Sequence, residues 1–525
     1  MAGSARREAL QNGPYDAAVI VDGHNDLVLR VWRGEEPRHI DLAAAAEAGF
    51  AGGFFALYMG RPFDEPQRAP YSLPLAEPFP VDEARRIADE LAATLEALDV
   101  KVARSVGDFV AGRVSAIMHL EGADPLAADL SDLERWYDRG LRSIGIVWSR
   151  PNAFGEGVPF RFPSSPDTGP GLTDAGVKLV QACNFLGILV DLSHLNEAGF
   201  WDVARNSQAP LVATHSNAHA LCASSRNLTD RQLDAIGETG GVVGVNFATG
   251  FLREDGNNDP ATPLAEIVRH VDYIASRIGI DHVAFGSDFE GAIIPDELGG
   301  ISGLPRLLDA LRARGHDEES VAKIAHRNWL RVLDETWRPW GRYFSLAGDD
   351  ARPTLLAAAD RFAAPGLAVD LGAGTGRDTA ELLRRGWSVI AIDREQEAIN
   401  RLHELAGPDS GRLETRVSRF EDTEWPACDL VNASFSLPFC PPGSFAGLWR
   451  RIVDSLPPGG RFSGQLFGER DEWAGSGIVV QTRAELDDLL APFEVERLDE
   501  FDGDGTTVIG KPKHWHVFHV VARKR

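Results

Sequence analysis

Six ionisable residues stand at the ends of short apolar runs in the first 290 residues: His24, Asp26, Glu121, His194, His215 and Asp288. Imidazole and carboxylate groups together form a ligand set suited to Zn²⁺ or a similar divalent ion. A single His-x-Asp pair is more often a hydrogen-bonded pair than a metal site. If the fold brings all six residues together, they predict a centre for two metal ions. Glu121 is then the candidate for the carboxylate that bridges the ions.

The elements that carry these residues have the pattern of parallel strands. Runs rich in apolar or β-branched residues alternate with helix-length amphipathic stretches such as 81–98 and 263–279. Eight such runs occur, at 17–26, 50–59, 114–122, 141–148, 188–194, 211–216, 241–247 and 282–289. This alternation is typical of a parallel sheet covered on both sides, and eight units predict an α/β fold of the (β/α)8 TIM-like barrel type. The C-terminal strand ends of such a barrel share one mouth, which would gather the six residues.

The motifs around these residues resemble those of the membrane (renal-type) dipeptidases, peptidase family M19. They are VDGHNDL, HLEG, DLSH, THS, SSRN and GSDFEG, and the similarity runs from about residue 17 to 335. The resemblance implies a zinc-dependent dipeptidase with two Zn²⁺ or similar divalent ions. His24 and Asp26 would bind one ion, His194 and His215 the other, and Glu121 would bridge them. Some related amidohydrolases use a carboxylated lysine as the bridge, but this chain has no lysine between 102 and 177.

The same resemblance implies a mechanism. A hydroxide bridging the metals would attack the peptide carbonyl, with Glu121 and Asp288 as the catalytic residues and Asp288 passing the proton to the departing amine. Arg226, in SSRN, matches the family arginine that binds the substrate's C-terminal carboxylate. Trp148 stands where the family's mammalian members have a histidine that contacts the tetrahedral intermediate, and an indole cannot be protonated. We therefore expect a dipeptide as substrate, with another amide or a lactone as the alternative.

A second domain follows a segment rich in Pro, Gly and Asp. That segment, 338–353, predicts a linker between a barrel at 1–337 and a domain at 354–525. In the second domain strands and helices alternate again, and the last two strands flank a turn-rich stretch, which predicts a doubly wound Rossmann-like sheet ending in an antiparallel pair. VDLGAGTGRD places three glycines between a strand and a helix, where a ligand can approach the backbone.

This arrangement resembles the class I S-adenosylmethionine-dependent methyltransferases, including the tellurite-resistance-type branch. It implies that Asp422 or Glu421 lies near the adenine, and that Asn432 and Ser434 lie near the methionine or the methyl acceptor. The remaining S-adenosyl-L-methionine contacts would be Asp370, Gly372, Gly374, Gly376 and Asp393. NAD is the competing cofactor for such a glycine turn. A cofactor-binding module without transfer activity is the competing function. Three histidines in PKHWHVFHV favour packing over metal binding.

Composition limits the partners. The net charge of −25 over 525 residues argues against nucleic acid or an anionic membrane, which leaves small-molecule substrates. The N-terminal residues contain no apolar signal segment, and nowhere do about 18 apolar residues run together. Four widely separated cysteines form no CxxC pair, as in a reducing compartment. We expect a cytoplasmic protein, and the family resemblance makes a homodimer plausible.

Overall fold

The structure, a computed structural model, describes residues 19–60, 72, 75–110, 112–508 and 510–525. It divides the chain into two units, Met1–Trp337 and Arg338–Arg525. Each unit is built around one sheet, and both units have the α/β fold that the sequence predicts. Across the part of the chain that is described, no helix combines the length and the apolar character needed to cross a membrane.

Parallel strands form the barrel of the first unit. The strands are β1 (Ile20–Asn25), β2 (Phe50–Tyr58), β3 (Lys101–Val102), β4 (Ser115–Glu121), β5 (Leu141–Gly145), β6 (Leu189–Asp191), β7 (Val212–Ala213), β8 (Val242–Asn246) and β9 (Val283–Gly286). Eight of them follow one another in the order β1-β2-β4-β5-β6-β7-β8-β9, while β3 pairs outside this path with β4. At the C-terminal mouth a parallel bridge joins Asn25 to Phe289. The nearly closed barrel confirms the predicted architecture.

Helices cover the outside of this barrel. They are α1 (Leu27–Trp32), α2 (Val81–Ala97), α3 (Leu133–Arg139), α4 (Asp174–Leu186), α5 (Glu197–Asn206), α6 (Asp230–Glu238), α7 (Thr249–Leu252), α8 (Ala265–Ile278), α9 (Leu304–Arg314), α10 (Glu318–Ala322) and α11 (Asn328–Trp337). A π-helical turn, Lys323–Arg327, joins α10 to α11. Residues 318–337 therefore form one continuous helix whose winding changes once, at this turn.

Trp329 of α11 fills the inside of the barrel. It is fully buried, and its indole Nε1 donates a hydrogen bond to the Phe285 carbonyl at 2.9 Å. The indole fits there because Gly23 and Gly244 have no side chain: a Cβ at these positions would lie 2.6 and 3.0 Å from its ring. Inward-pointing strand residues such as Phe54 pack around it. This apolar plug lies below the strand ends and leaves polar chemistry to the C-terminal mouth.

The second unit contains a mixed sheet. Its strands are β10 (Leu367–Leu371), β11 (Ser388–Asp393), β12 (Leu413–Val417), β13 (Leu430–Ala433), β14 (Arg461–Gly468), β15 (Val480–Gln481), β16 (Phe493–Thr506) and β17 (Pro512–Lys524). The order is β12-β11-β10-β13-β14-β17-β16, with β15 beside β14. Only β17 runs antiparallel to its neighbours β14 and β16, so the doubly wound sheet with a final antiparallel pair is confirmed. The helices are α12 (Pro339–Leu346), α13 (Pro353–Ala359), α14 (Arg377–Arg384), α15 (Gln396–Ala406), α16 (Pro442–Ser455) and α17 (Arg483–Leu490).

Two segments are more regular than their composition indicates. Within 338–353, expected to be a linker, residues 339–346 form α12, whose Phe344 is buried. Burial of that aromatic ring supplies the apolar contact that Pro and Gly content does not reveal. The turn-rich stretch around DGDGT belongs to β16, where Asp504 pairs across the sheet with His514 at 2.8 Å. Cross-strand charge pairs of this kind offset the low strand propensity of Asp and Gly.

Candidate functional site

Glu121 lies at the centre of a buried cluster in the C-terminal mouth of the barrel. Its Oε2 lies 3.7 Å from Nε2 of His24, whereas its Oε1 lies 3.1 Å from Nε2 of His194 and 3.8 Å from Nε2 of His215. Asp26 Oδ2 lies 3.6 Å from the same His24 nitrogen. The two carboxylate oxygens therefore face two different groups of ligands, which is the geometry of a bridging carboxylate.

Two groups of potential ligand atoms lie within 4.8 Å of one another: His24 with Glu121 and His215, and His24 with Asp26 and Asp288. They come from four strands or the residues just after them: β1 contains His24, Glu121 ends β4, and the other three lie one or two residues past the ends of β1, β7 and β9. His194, three residues past β6, adds its Nε2 at 3.1 Å from that of His215. The sequence-predicted ligands thus come together in one place.

Hydrogen bonds behind the cluster orient its imidazoles. Thr214 Oγ1 donates to Asp191 Oδ2 at 2.6 Å, so it accepts from Nδ1–H of His215, 2.8 Å away. Nε2 of His215 is then the nitrogen with a free lone pair, as a metal ligand requires. On His194, Nδ1 lies 2.9 Å from the Ser149 hydroxyl, which leaves its Nε2 directed toward Glu121.

The backbone is strained at two of these residues. His194 and Asp288 have φ values of +68° and +59°, in the left-handed region that residues with a Cβ rarely adopt. Such conformations persist where surrounding structure imposes them, and they concentrate at functional sites. Asp288 is held on both sides, since its backbone N–H donates to the His24 carbonyl at 3.0 Å and its Oδ2 accepts from the Asn246 amide at 2.9 Å.

The residues present fit a pair of metal ions. Among the described residues, neither ring nitrogen of His24 and neither lone pair of Asp26 Oδ1 has a hydrogen-bond partner, although all three atoms are buried. Each buried polar atom that lacks a hydrogen-bond partner lowers the free energy of unfolding by about 1–3 kcal/mol. Nitrogen and carboxylate oxygen donors without competing protein partners are the donor set that a zinc-like ion takes.

The electrostatics of the cluster also favour the binding of metal cations. Burial disfavours a charged His24, but the Glu121 carboxylate and its acidic neighbours outweigh this and raise the pKa of His24 to about 10. Burial raises the pKa of Glu121 and of Asp288 above the usual range. Burial, with the positive charges nearby, holds the pKa of His194 and of His215 well below its usual range. The protein thus concentrates negative charge around His24 that a divalent cation would neutralise.

Arg226 and Trp148, which the sequence predicts to bind substrate, lie beside the cluster. Arg226 is buried, and its two Nη groups donate to Ser216 Oγ at 2.8 Å and to the His215 carbonyl at 3.0 Å. The Trp148 ring is centred 5.6 Å from the imidazole of His194 and 5.2 Å from the ring of Tyr58. Arg226 is thus bonded to the backbone of one proposed ligand, His215, and Trp148 packs near another, His194.

Sequence reasoning missed the residues that orient the ligands. Asp191 and Thr214 belong to the DLSH and THS motifs already singled out, and Asn246 ends β8. Their signal was a polar residue inside an otherwise apolar strand, since a buried polar group needs a partner. Tyr58, the last residue of β2, was missed because an aromatic residue at a strand end is most often packing.

In the second unit the glycine turn has the conformation that the motif predicts. Gly372, Gly374 and Gly376 have φ values of +72°, +55° and +81° between β10 and α14. Asp393, at the end of β11, accepts hydrogen bonds from the backbone N–H groups of Gly374 and Glu395, both at 2.8 Å. This aspartate therefore shapes the glycine turn from the neighbouring strand.

The other expected cofactor residues divide into buried and exposed ones. Asp370 Oδ1 accepts from the Asn432 amide at 2.9 Å, and the same amide donates to Asp378 at 3.1 Å, so this group forms an internal network. Ser434 joins it, donating to Asp378 at 2.6 Å. Asp422 is exposed, whereas the side chain of Glu421 in the same turn is only 7% exposed.

Two histidines of PKHWHVFHV, His514 and His516, pair with carboxylates of the neighbouring strand. His514 pairs with Asp504 and Asp502 at 2.8 and 3.0 Å, and His516 pairs with Glu500 at 2.9 Å. These are cross-strand contacts between β17 and β16. The expectation that the three histidines pack and do not bind a metal stays a prediction.

Comparison with known proteins places this geometry in a family. Residues 14–338 match the model of the membrane dipeptidases (peptidase family M19), and residues 368–460 match that of a methyltransferase domain. The crystal structure of a metallo peptidase from Rhodobacter sphaeroides liganded with a phosphinate mimic of the dipeptide L-Ala-D-Ala is 48% identical, with a TM-score of 0.59. The match covers 61% of this chain and 100% of the metallo peptidase chain.

Two relatives extend the comparison. The Klebsiella pneumoniae "Uncharacterized protein in pqqA 5'region" is 52% identical over 251 residues, 48% of this chain and 91% of that protein. The dipeptidase tcpJ of Claviceps purpurea (strain 20.1) is 29% identical over 304 residues, 57% of this chain and 69% of that protein. The chain therefore belongs to the membrane dipeptidase family, peptidase family M19, and carries a methyltransferase domain after its dipeptidase barrel.

Proposed function

We propose that the barrel is a zinc dipeptidase and that its substrates include dipeptides with a D-residue at the C-terminal position. The observation that supports this proposal is the orientation of the Glu121 carboxylate. One of its oxygens faces His24, and the other faces His194 and His215. The D-residue is supported by the Rhodobacter sphaeroides relative, which was solved with a mimic of L-Ala-D-Ala. Two zinc ions held there would activate a water molecule and polarise the peptide carbonyl.

The side chains of this chain perform the remaining tasks. Asp288 takes the proton of the attacking water and delivers it to the departing amine, and the Asn246 amide on its Oδ2 keeps the carboxylate in position. Arg226 binds the C-terminal carboxylate of the dipeptide, because a guanidinium carries five N–H groups and two bonds to the protein fix its plane. Trp148, whose ring packs near His194, would line the substrate pocket, and the ring of Tyr58 packs against that of Trp148.

The experiment is zinc analysis together with a panel of dipeptides that includes L-Ala-D-Ala and L-Ala-L-Ala. The wild type is expected to hold two zinc ions and to release free amino acids. Asp288→Asn should keep the zinc and lose about 10²–10⁴-fold in kcat, the usual contribution of a general acid–base group. Asp296→Asn, at an exposed aspartate of the same loop, is the matched control. Turnover of lactones or N-acyl amino acids without turnover of dipeptides would contradict the dipeptidase proposal.

For the second domain we propose S-adenosyl-L-methionine-dependent transfer of a methyl group to a small acceptor. The glycine turn with three positive φ values, and Asp393 hydrogen-bonded into it, support this proposal. Calorimetric titration with S-adenosyl-L-methionine and with NAD⁺ distinguishes the two cofactors. Transfer of a labelled methyl group to cell-extract metabolites then tests activity. Binding of the cofactor without transfer to any acceptor would favour a binding module over an enzyme.

A further inference from the structure

Glu290 is a buried carboxylate in the turn that follows β9, two residues after Asp288. Its side chain is completely buried. Carboxylates are almost never buried in this way unless they are paired. Neither of the two groups of potential metal ligands found among the described residues contains Glu290, so metal binding does not explain its burial.

The Glu290 carboxylate is bound by the backbone of the segment 38–40, which follows α1. Three consecutive backbone N–H groups donate to its Oε1, those of Arg38 and Ile40 at 3.0 Å and that of His39 at 2.7 Å. Arg30 Nε lies 3.1 Å from the other oxygen. Consecutive N–H groups of this kind form a concavity that binds anions. Here the anion is a side chain of the same protein, which ties the turn after β9 to a segment about 250 residues earlier.

The segment 38–40 also holds the backbone of Glu290 and is itself fixed. The Glu290 N–H donates to His39 Nδ1 at 2.9 Å, so this ring nitrogen has no proton of its own. The His39 carbonyl accepts from the Ile301 N–H at 2.8 Å. A Cβ at Gly300 would lie 2.3 Å from that carbonyl oxygen, so the backbones pack directly on each other. Glu290 is therefore attached to a well-fixed part of the barrel unit.

The turn that contains Glu290 has a strained backbone. Asp288 and Glu290 have φ values of +59° and +71°, and both residues carry a Cβ. The turn closes on itself, because the Asp288 carbonyl accepts from the N–H groups of Gly291 and Ala292, both at 3.2 Å. Two such residues in one turn persist only where the surrounding structure holds them.

Strand β1 and its next residue restrain only the first half of this turn. The Asp288 N–H donates to the His24 carbonyl at 3.0 Å, and the Phe289 carbonyl accepts from the Asp26 N–H at 2.9 Å. The bonds between Glu290 and the segment 38–40 restrain the second half. The conformation that directs the Asp288 side chain is thus fixed from two sides.

We propose that Glu290 is a positioning residue that holds the Asp288 carboxylate in place for proton transfer. This inference rests on the dipeptidase function proposed above. Without the anchor, the turn relaxes out of the left-handed region and the Asp288 carboxylate leaves the Asn246 amide that now binds it. A general base must lie within hydrogen-bond distance of the proton it takes, and a misplacement of about 1 Å costs about 100-fold in rate.

The test is Glu290→Gln in the zinc-loaded full chain, with L-Ala-D-Ala as substrate. The amide keeps the size of the side chain but replaces one acceptor oxygen by an NH₂ group among donors. We expect kcat to fall about 10–100-fold, with zinc content unchanged and KM changed less than about threefold. Glu297→Gln is the matched control, because this exposed carboxylate of the same loop accepts one backbone N–H, from Leu264 at 3.1 Å. It should keep kcat within about twofold of wild type.

A double-mutant cycle separates positioning from a general loss of structure. In the Asp288→Asn background no carboxylate remains to be positioned, so Glu290→Gln should lower kcat there by less than about threefold. A crystal structure of Glu290→Gln gives a readout that does not depend on activity. It should show the Asp288 carboxylate out of hydrogen-bond distance of the Asn246 amide.

A pair of variants at His39 serves if Glu290→Gln fails to fold. His39→Leu removes the acceptor of the Glu290 N–H and should lower kcat about tenfold or more. His39→Asn, whose Oδ1 takes the place of Nδ1, should restore most of that loss. Equal kcat values for His39→Leu and wild type would contradict the proposal.

Three results would overturn the role of Glu290: a Glu290→Gln enzyme with kcat within about threefold of wild type, an equal loss in both backgrounds, or an unmoved Asp288 in the crystal structure. A wild type that cleaves no dipeptide would remove the proposed function itself. An active wild type with an equally active Glu290→Gln removes only the positioning role.

Discussion

The hydroxyl of Thr214 lies 2.8 Å from Nδ1 of His215 and must accept its proton, because the same hydroxyl donates to Asp191. A residue that binds no substrate thereby selects the tautomer of a proposed zinc ligand. The consequence is that metal affinity depends on a hydroxyl outside the ligand set.

Replacing this hydroxyl should weaken metal binding without unfolding the barrel. Thr214→Val keeps the shape of the side chain but removes the acceptor, and loss of such a partner typically costs 10–100-fold in metal affinity. Zinc affinity measured by competition with a chromophoric chelator checks this expectation. Thr94→Val, which removes a hydroxyl bonded within helix α2, is the matched control. Equal affinities for Thr214→Val and wild type would contradict the orienting role.

A glycine next to the cluster should be intolerant of even one methyl group. A Cβ at Gly291 would lie 2.0 Å from Asp26 Oδ2 and 2.8 Å from Asp288 Oδ1. Gly291→Ala must therefore displace two carboxylates, and we expect loss of at least one zinc ion per chain and of nearly all dipeptidase activity. Elemental analysis and turnover of L-Ala-D-Ala measure both. Gly107→Ala, whose added Cβ would meet only Ser105 Oγ at 3.6 Å, should leave both unchanged.

The stability of the metal-free barrel should fall as the pH rises above neutrality. The pKa of His24 is raised to about 10, so the folded state holds this proton more tightly than the unfolded state does. That contribution is complete below about pH 6.5, the ordinary histidine value, and is lost as the pH approaches 10. The raised pKa of Glu121 acts in the same direction. Below pH 6.5, protonation of unfolded His194 and His215 destabilises the fold instead.

Scanning calorimetry of chelator-treated protein measures this dependence. We expect the highest barrel Tm near pH 6–7 and a fall of more than about 5 °C by pH 9, since about 1 kcal/mol shifts Tm by 2–4 °C in a domain of 150–250 residues. His24→Gln should flatten the alkaline fall, and restored zinc should abolish it. A Tm of the metal-free protein that rises between pH 7 and pH 9 would contradict the predicted direction of the pH dependence.

Asp393 should control cofactor binding through the shape of the glycine turn. Its carboxylate accepts two backbone N–H groups, from Gly374 and Glu395, whereas an asparagine offers only one oxygen. One lost bond to a buried charged acceptor is worth about 1.5–3 kcal/mol, so Asp393→Asn should raise the Kd for S-adenosyl-L-methionine by about tenfold or more. Asp422→Asn, at an exposed position, should change the Kd less than about threefold. Isothermal titration decides between these outcomes, and a larger effect at Asp422 would place the cofactor differently.

Much of the fold follows from local pattern. Apolar runs that alternate with amphipathic helices specify parallel sheets, because only strands covered on both faces are apolar throughout. The second domain was predictable for the same reason, down to the antiparallel β17. Helix α12 and the full length of β16 were not predictable, because burial of Phe344 and the pairing of Asp504 with His514 depend on neighbours distant in the chain.

The candidate site was likewise only partly predictable from the sequence. The sequence by itself determined which residue types reach the C-terminal mouth of the barrel, because parallel strands bring His24, Glu121 and His215 to one end whatever their separation along the chain. Only the tertiary structure decided that the two oxygens of Glu121 face different histidines. Spacing along a strand sets the face a side chain leaves from. The direction of a carboxylate oxygen or a hydroxyl proton is set by contacts that exist only once the barrel has closed.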